Sequence, residues 1–217
     1  MAGMHQAHKQ IYIARHAETE ENIAKIVQGW LPGTLSYQGK NQARALGRAL
    51  QQEGIEYILC GDLENPDGKR GRQRQTADEI RRYITVPAKY TPLLLERGCG
   101  SLEGKRYHEL GIATDADFPC YGGAGTGVFA DMEPFFSVTD RAREAIGWMR
   151  RLPHRRILAV GSGWINSYIV NILLDEPWVY HEQDNAAVHY FELDTDGKPV
   201  HHELNKDVIR RSAHDAP

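Results

Sequence analysis

The chain of 217 residues carries 26 Lys and Arg against 29 Asp and Glu, a formal charge of −3, with 41% hydrophobic and 25% charged residues. These fractions belong to an ordinary globular protein and exclude a collagenous, disordered or membrane-embedded chain. The near balance of charge supplies no basic field for nucleic acid or an anionic membrane, so any anion has to be captured by local residues. No apolar run approaches the roughly 18 residues of a spanning helix. Residues 1–10 are polar and hold no signal core, and the chain therefore reads as cytoplasmic. Cys60, Cys99 and Cys120 match neither a disulfide framework nor a C-x-x-C pair and read as reduced thiols.

Residues 10–14 (Q-I-Y-I-A) form a short strand that delivers Arg15 and His16 at its C-terminal end, the edge where open α/β sheets hold ligands. Ser36 opens a helix over 36–53, with Ala43, Leu46, Ala49 and Leu50 on its apolar stripe and Gly54 as its stop. A strand at 55–60 follows, then the loop 64–70 (E-N-P-D-G-K-R), a helix at about 75–83 and an extended segment within 86–95. Residues 103–110 suggest a short helix. Residues 111–136 hold five glycines and two prolines with little periodicity, and read as a lid or insertion. Ser137 with Asp140 three residues on predicts the start of a helix whose buried stripe runs from Val138 to Leu152. A strand at 156–161, a helix at 164–174 and a strand at 187–193 continue the alternation, and the Asp194–Gly197 turn closes a hairpin. The expected fold is one α/β domain, a three-layer sandwich around a mostly parallel sheet.

The chemistry concentrates at R-H-A-E-T, residues 15–19. An arginine fork suits phosphate oxygens, and a neutral imidazole nitrogen is a competent nucleophile. Asn22, Gln28-Gly29, Leu35-Ser36 with Gly39 and Gln42, and Arg72-x-x-Gln75-Thr76-Ala77 follow in order, and later Leu95-Glu96, Gly100 and Glu103-Gly104. Together these resemble the histidine phosphatase superfamily, the phosphoglycerate mutase-like proteins, over about residues 11–193. Glu133 with Arg141 resembles the family's G-E-S segment and its downstream arginine, although Met132 and Pro134 replace its Gly and Ser. The resemblance implies that His16 becomes phosphohistidine, that Arg15, Arg72 and Asn22 bind phosphate, and that Glu96 donates the proton to the leaving oxygen. A phosphoryl dianion needs such a set: fixed cations, an in-line nucleophile and an acid on the far side. Gln28, Gly29, Trp30 and Gly163 are expected to contact substrate, with no metal or organic cofactor. The substrate would be a small phosphorylated or other anionic molecule, and a homodimer is compatible with this reading.

One segment departs from the pattern. Where the family carries V-S-H-G-G, this chain has Val160-Gly161-Ser162-Gly163-Trp164, so Ser162 stands in the place of the second histidine. Ser162 is accordingly included among the catalytic residues, as a donor that cannot carry positive charge. The loss of one preorganised donor costs roughly 10² to 10³ in rate. Three readings follow: a phosphomonoester hydrolase with Ser162, Asn166, His181 or His189 as the substitute donor, altered chemistry on an anionic metabolite, or a phosphate-binding pseudoenzyme. The 64–70 loop also separates Asp62-Leu63 from Arg72, which the family holds nearly adjacent. A G-x-S-x-G elbow at Ser162 is absent, because its outer glycines would fall on Val160 and Trp164.

Overall fold

The computed structural model describes residues 8–62, 68–118, 131–206 and 208–209. Residues 119–130 of the expected lid, Cys120 among them, lie outside them, as do 63–67, which take in 64–67 of the inserted loop.

Six strands form one sheet in the order β3-β2-β4-β1-β5-β6. β1 (Lys9–Arg15), β2 (Tyr57–Gly61), β3 (Ala88–Thr91) and β4 (Arg156–Gly161) run parallel, while β5 (Val188–Leu193) and β6 (Pro199–Lys206) complete the sheet antiparallel. Alternation along β1 sorts its side chains between two cores. Ile11 and Ile13 join a cluster with α4 (Phe135–Arg151) and α5 (Gly163–Leu174). Tyr12 and Ala14 point to α2 (Tyr37–Gln52) and α3 (Arg72–Ile80) on the other face. The result is helix, sheet, helix, as the alternation of elements predicts. Among the described residues no helix is long and apolar enough to cross a membrane.

Several element boundaries differ from expectation. A four-residue helix α1 (Glu20–Ile23) follows the R-H-A-E-T segment, capped by Thr19 and Asn22 in a reciprocal box. α3 begins at Arg72 rather than near 75, with Gly71 as an N-cap that offers no side-chain bond. α4 begins at Phe135 behind Pro134, because the Ser137 hydroxyl bonds the Glu133 carboxylate instead of capping a helix. β3 is confined to four residues and passes into a 3-10 turn over Pro92–Leu94. Residues 103–110 give only a 3-10 turn, Tyr107–Leu110.

The parallel strands all end at one edge of the sheet. β1 releases Arg15 and His16 there, β4 turns into α5 beside them, and the loop after β3 brings Glu96 across. This edge carries the site.

Candidate active site

The segment after β1 is pinned from every side. His16 N–H donates to Gly161 O at 3.0 Å, and Ala17 N–H to Thr76 Oγ1 at 3.0 Å. Glu18 N–H donates to Gln42 Oε1 at 3.0 Å, and the Ser36 hydroxyl to Glu18 Oε1 at 2.6 Å. Gln75 holds the neighbouring loop through Leu35 N–H and Gly33 O. The Ser36, Gln42, Gln75 and Thr76 positions of the sequence pattern thus build the frame around the histidine rather than touching a ligand themselves.

His16 is buried. Its Nδ1 lies 2.9 Å from Ala17 O, and Arg72 Nε donates to its Nε2 at 3.0 Å. The carbonyl requires a proton on Nδ1 and the guanidinium requires a lone pair on Nε2, so the ring is the neutral Nδ1–H tautomer. Burial, reinforced by Arg72 and Arg15, holds its pKa well below that of a free imidazole. Arg72 also donates to Leu31 O at 2.8 Å and Gly29 O at 3.1 Å, which fixes its guanidinium plane.

Arg15 donates from Nη1 to Gln183 O at 2.6 Å and from Nη2 to Asp115 Oδ2 at 3.1 Å. Its Nε is buried and has no hydrogen-bond partner among the described residues. Tyr107 donates a short bond to Asp115 Oδ1, and Tyr180 one of 3.3 Å to Oδ2. Burial and the Asp115 charge push both phenols up, so both remain protonated donors.

Glu96 Oε1 accepts the N–H of Arg97 at 2.9 Å and that of Trp164, in the first turn of α5, at 3.1 Å. Burial raises its pKa, with Arg72 acting in the opposite direction. The loop carrying Glu96 is braced by Arg141, which pairs with Glu133 at 2.7 Å and donates to Leu95 O at 3.0 Å. Glu133 and Arg141 therefore support the loop that carries Glu96.

These groups line one cleft. Arg15, His16, Asn22, Gln28, Gly29, Arg72 and Glu96 line it, all expected from the sequence. Three expected residues do not. Trp30 is 44% exposed and spends its indole N–H on Glu96 O at 2.9 Å. Gly163 opens α5 behind Arg15. Ser162, expected as catalytic, is fully buried, and its hydroxyl accepts Gln73 Nε2 at 2.8 Å outside the cleft wall. Among the described lining residues His16 is the only histidine.

The histidine phosphatase superfamily (branch 1) model matches residues 11–206. The chain belongs to this superfamily. A probable phosphoglycerate mutase of Erwinia tasmaniensis is 28% identical over 170 residues, 77% of this chain and 76% of that protein. A broad-specificity phosphatase of Saccharomyces cerevisiae is 33% identical over 105 residues, 46% of this chain and 43% of that protein. Among solved structures, a mycobacterial glucosyl-3-phosphoglycerate phosphatase complexed with VO3 superposes with a TM-score of 0.73 at 20% identity, covering 91% of this chain and 98% of its own. A putative α-ribazole-5'-P phosphatase of Escherichia coli gives 0.74 at 19% identity, covering 91% and 97%. Membership of a family of phosphatases and mutases supports a phosphatase-type enzyme.

The superfamily member has cleft residues that sequence reasoning missed: Asp115, Tyr107, Arg97, Cys99, Phe118, Met132 and the backbone of Trp164. Asp115 and Phe118 fall in the aperiodic stretch read as a lid, where no local pattern marks a contact. The substitute donors considered for Ser162 lie elsewhere. Asn166 holds Ala14 O and Gln183 Oε1, and His189 Nδ1 accepts Asn205 N–H within the β5–β6 pair. The glycine at Gly161 has a local reason: a Cβ there would come within 2.2 Å of Asn166 Oδ1.

Proposed function

We propose that this chain hydrolyses phosphomonoesters through a phosphohistidine at His16. The observation that carries this reading is the His16 tautomer: Nδ1–H is committed to Ala17 O, and the Nε2 lone pair faces Arg72 inside a cleft that also presents Glu96. An incoming phosphoryl oxygen takes over the Arg72 N–H and frees that lone pair. Nε2 attacks phosphorus as the ester P–O bond breaks, and protonated Glu96 gives its proton to the leaving alkoxide. In the second half Glu96, now a carboxylate, takes a proton from water as the oxygen attacks phosphorus. The P–N bond breaks, and phosphate and neutral His16 are released.

Arg15 and Arg72 neutralise the non-bridging oxygens, and the Asn22 amide contributes a donor. In this reading Ser162 replaces the family's second histidine without replacing its charge, and the N-terminus of α5 beside Glu96 supplies part of the missing field. Hydrolysis is favoured over mutase chemistry, because a mutase must retain its phosphoenzyme while the intermediate turns over, which a site with fewer cations makes harder.

The test is a quenched turnover with an isotopically labelled phosphomonoester. The expected label survives alkali, is lost in acid, maps to the peptide holding His16 and disappears in His16→Ala together with phosphate release. Unchanged turnover in His16→Ala, or label on Ser162, overturns the proposal.

A further inference from the structure

The Arg15 guanidinium, which the phosphoryl group needs, is already in contact with an anion of the chain itself. Asp115 sits on Nη2 at 3.1 Å, held there by the hydroxyls of Tyr107 and Tyr180, which come from a 3-10 turn and from the segment before β5. A phosphoryl dianion taking the N–H groups of Arg15 that Asp115 and Gln183 leave open, Nε–H among them, would lie against the Asp115 carboxylate. The repulsion between the two anions favours the Asp115 side chain leaving Arg15 as the phosphoryl group binds.

Where it goes is set by the cavity. Asp115 lines both the inner cleft and a second, outer hollow that shares Arg15, Asn22 and Tyr107 with it. The ionisable side chains of that outer hollow, besides its tyrosines, are Glu21, Asp115, Glu182 and Asp184 against Arg15 and Lys25. Once Arg15 is committed to phosphate, one lysine faces four carboxylates. The remainder of the substrate, leaving through this hollow, meets acceptors and a negative field.

We propose that Asp115 is a specificity-determining residue: it yields Arg15 to the phosphoryl group and then, with Glu21, Glu182 and Asp184, faces the leaving group, so that the cleft accepts phosphomonoesters of hydroxylated or amino alcohols and rejects those of hydroxy acids. This rests on the hydrolase reading above, and the experiment separates the two. Initial rates of the full chain are measured on three esters of similar size, glycerol 3-phosphate, phosphoethanolamine and 3-phosphoglycerate, for the wild type, Asp115→Asn and Asp115→Glu. Binding of inorganic phosphate and of each ester is followed by calorimetry.

The wild type is expected to prefer the first two esters over 3-phosphoglycerate by about tenfold or more in kcat/KM, the order of one like charge within several ångström of a partly buried anion. Asp115→Asn should bring the three esters within about threefold of one another and tighten inorganic phosphate about tenfold, while Asp115→Glu keeps the discrimination. Equal or better turnover of 3-phosphoglycerate by the wild type overturns the inference and leaves the hydrolase reading standing, as does an Asp115→Asn protein with unaltered preference and phosphate affinity. Absence of phosphate release from every ester overturns the hydrolase reading, and the binding isotherms then decide the role of Asp115 by the same ratios.

Discussion

Replacing Glu96 with glutamine isolates one proton. Glu96 Oε1 accepts two backbone N–H groups, from Arg97 at 2.9 Å and Trp164 at 3.1 Å, so the acidic proton belongs on Oε2. Glutamine can keep its carbonyl oxygen on those same two donors and place its NH₂ where the O–H stood, and the loop braced by Arg141 is left intact. The variant should therefore fold with an unchanged melting temperature while losing general-acid catalysis. That term is worth about 10² to 10⁴ in rate, or roughly 3 to 5 kcal/mol of barrier. The loss should depend on the leaving group. On an alkyl phosphate, whose alkoxide cannot depart unprotonated, kcat should fall by the full factor. On p-nitrophenyl phosphate, whose stabilised phenolate departs unaided, phosphorylation of His16 should slow by less than about tenfold. Stopped-flow measurement of the phenolate burst, beside steady-state phosphate release from the alkyl ester, reads both. Equal losses on the two substrates would refute the assignment of Glu96 as the acid, and so would a loss below about threefold on the alkyl ester.

Two further outcomes follow. The pH profile of kcat/KM should have its optimum on the acid side. His16 is held neutral well below pH 6.5 and imposes no acid limb near neutrality, whereas protonated Glu96 is lost as pH rises through its elevated pKa. The substrate's own second ionisation, at about pH 6, is common to the wild type and Glu96→Gln. The difference between their profiles on an alkyl ester therefore reads Glu96, and an alkaline limb that persists in the variant contradicts the assignment. Gly39→Ala tests the frame around His16: the new Cβ would fall 1.9 Å from the backbone oxygen of Glu18, which itself accepts Ser36 N–H. Backbone cannot yield as a side-chain tip does, so the expected cost is about 3 kcal/mol, a fall in melting temperature of roughly 6–12 °C, with phosphatase activity reduced in parallel. A shift under 1 °C would mean that the Glu18 segment is softer than its hydrogen bonds indicate.

What was legible in the sequence was local. β1 and its Arg15-His16 delivery follow from a run of β-formers ending in polar residues, and Ser36, Gln42, Gln75 and Thr76 sit at spacings that bring their side chains onto neighbouring backbone. The misreadings came from residues whose partners are distant or whose local pattern is ambiguous. Trp30 and Gly163 are expected against substrate, yet the indole N–H of Trp30 is taken by Glu96 O, 66 residues away in sequence, and Gly163 opens α5 behind Arg15. Ser137 and Asp140 have the spacing of a helix start, but the nearby Glu133 carboxylate captures the serine. Asp115 lies in a stretch without periodicity, and its partner Arg15 is 100 positions away. No propensity or period encodes such a contact.

Ser162 is the most instructive case, because its side chain belongs to a buried hydrogen-bonded network rather than to the cleft. The hydroxyl is bonded by Gln73, and Gly161 beside it leaves room for Asn166. Asn166 in turn donates to Gln183 Oε1 at 2.8 Å, and Gln183 fixes Arg15 through its backbone carbonyl while its own amide is held by Ile13 O and Ala187 O. The region around Ser162 is thus a neutral hydrogen-bonded scaffold whose far end positions a guanidinium. Buried polar networks of this kind act as a unit, since leaving one member unpaired costs more than the bond itself is worth. A histidine at 162 alone would deprive Gln73 of its acceptor and enter a space already filled. In the proposed reaction the positive charge offered to the phosphoryl group therefore rests on Arg15 and Arg72, and its strength at Arg15 on whether Asp115 stays or leaves.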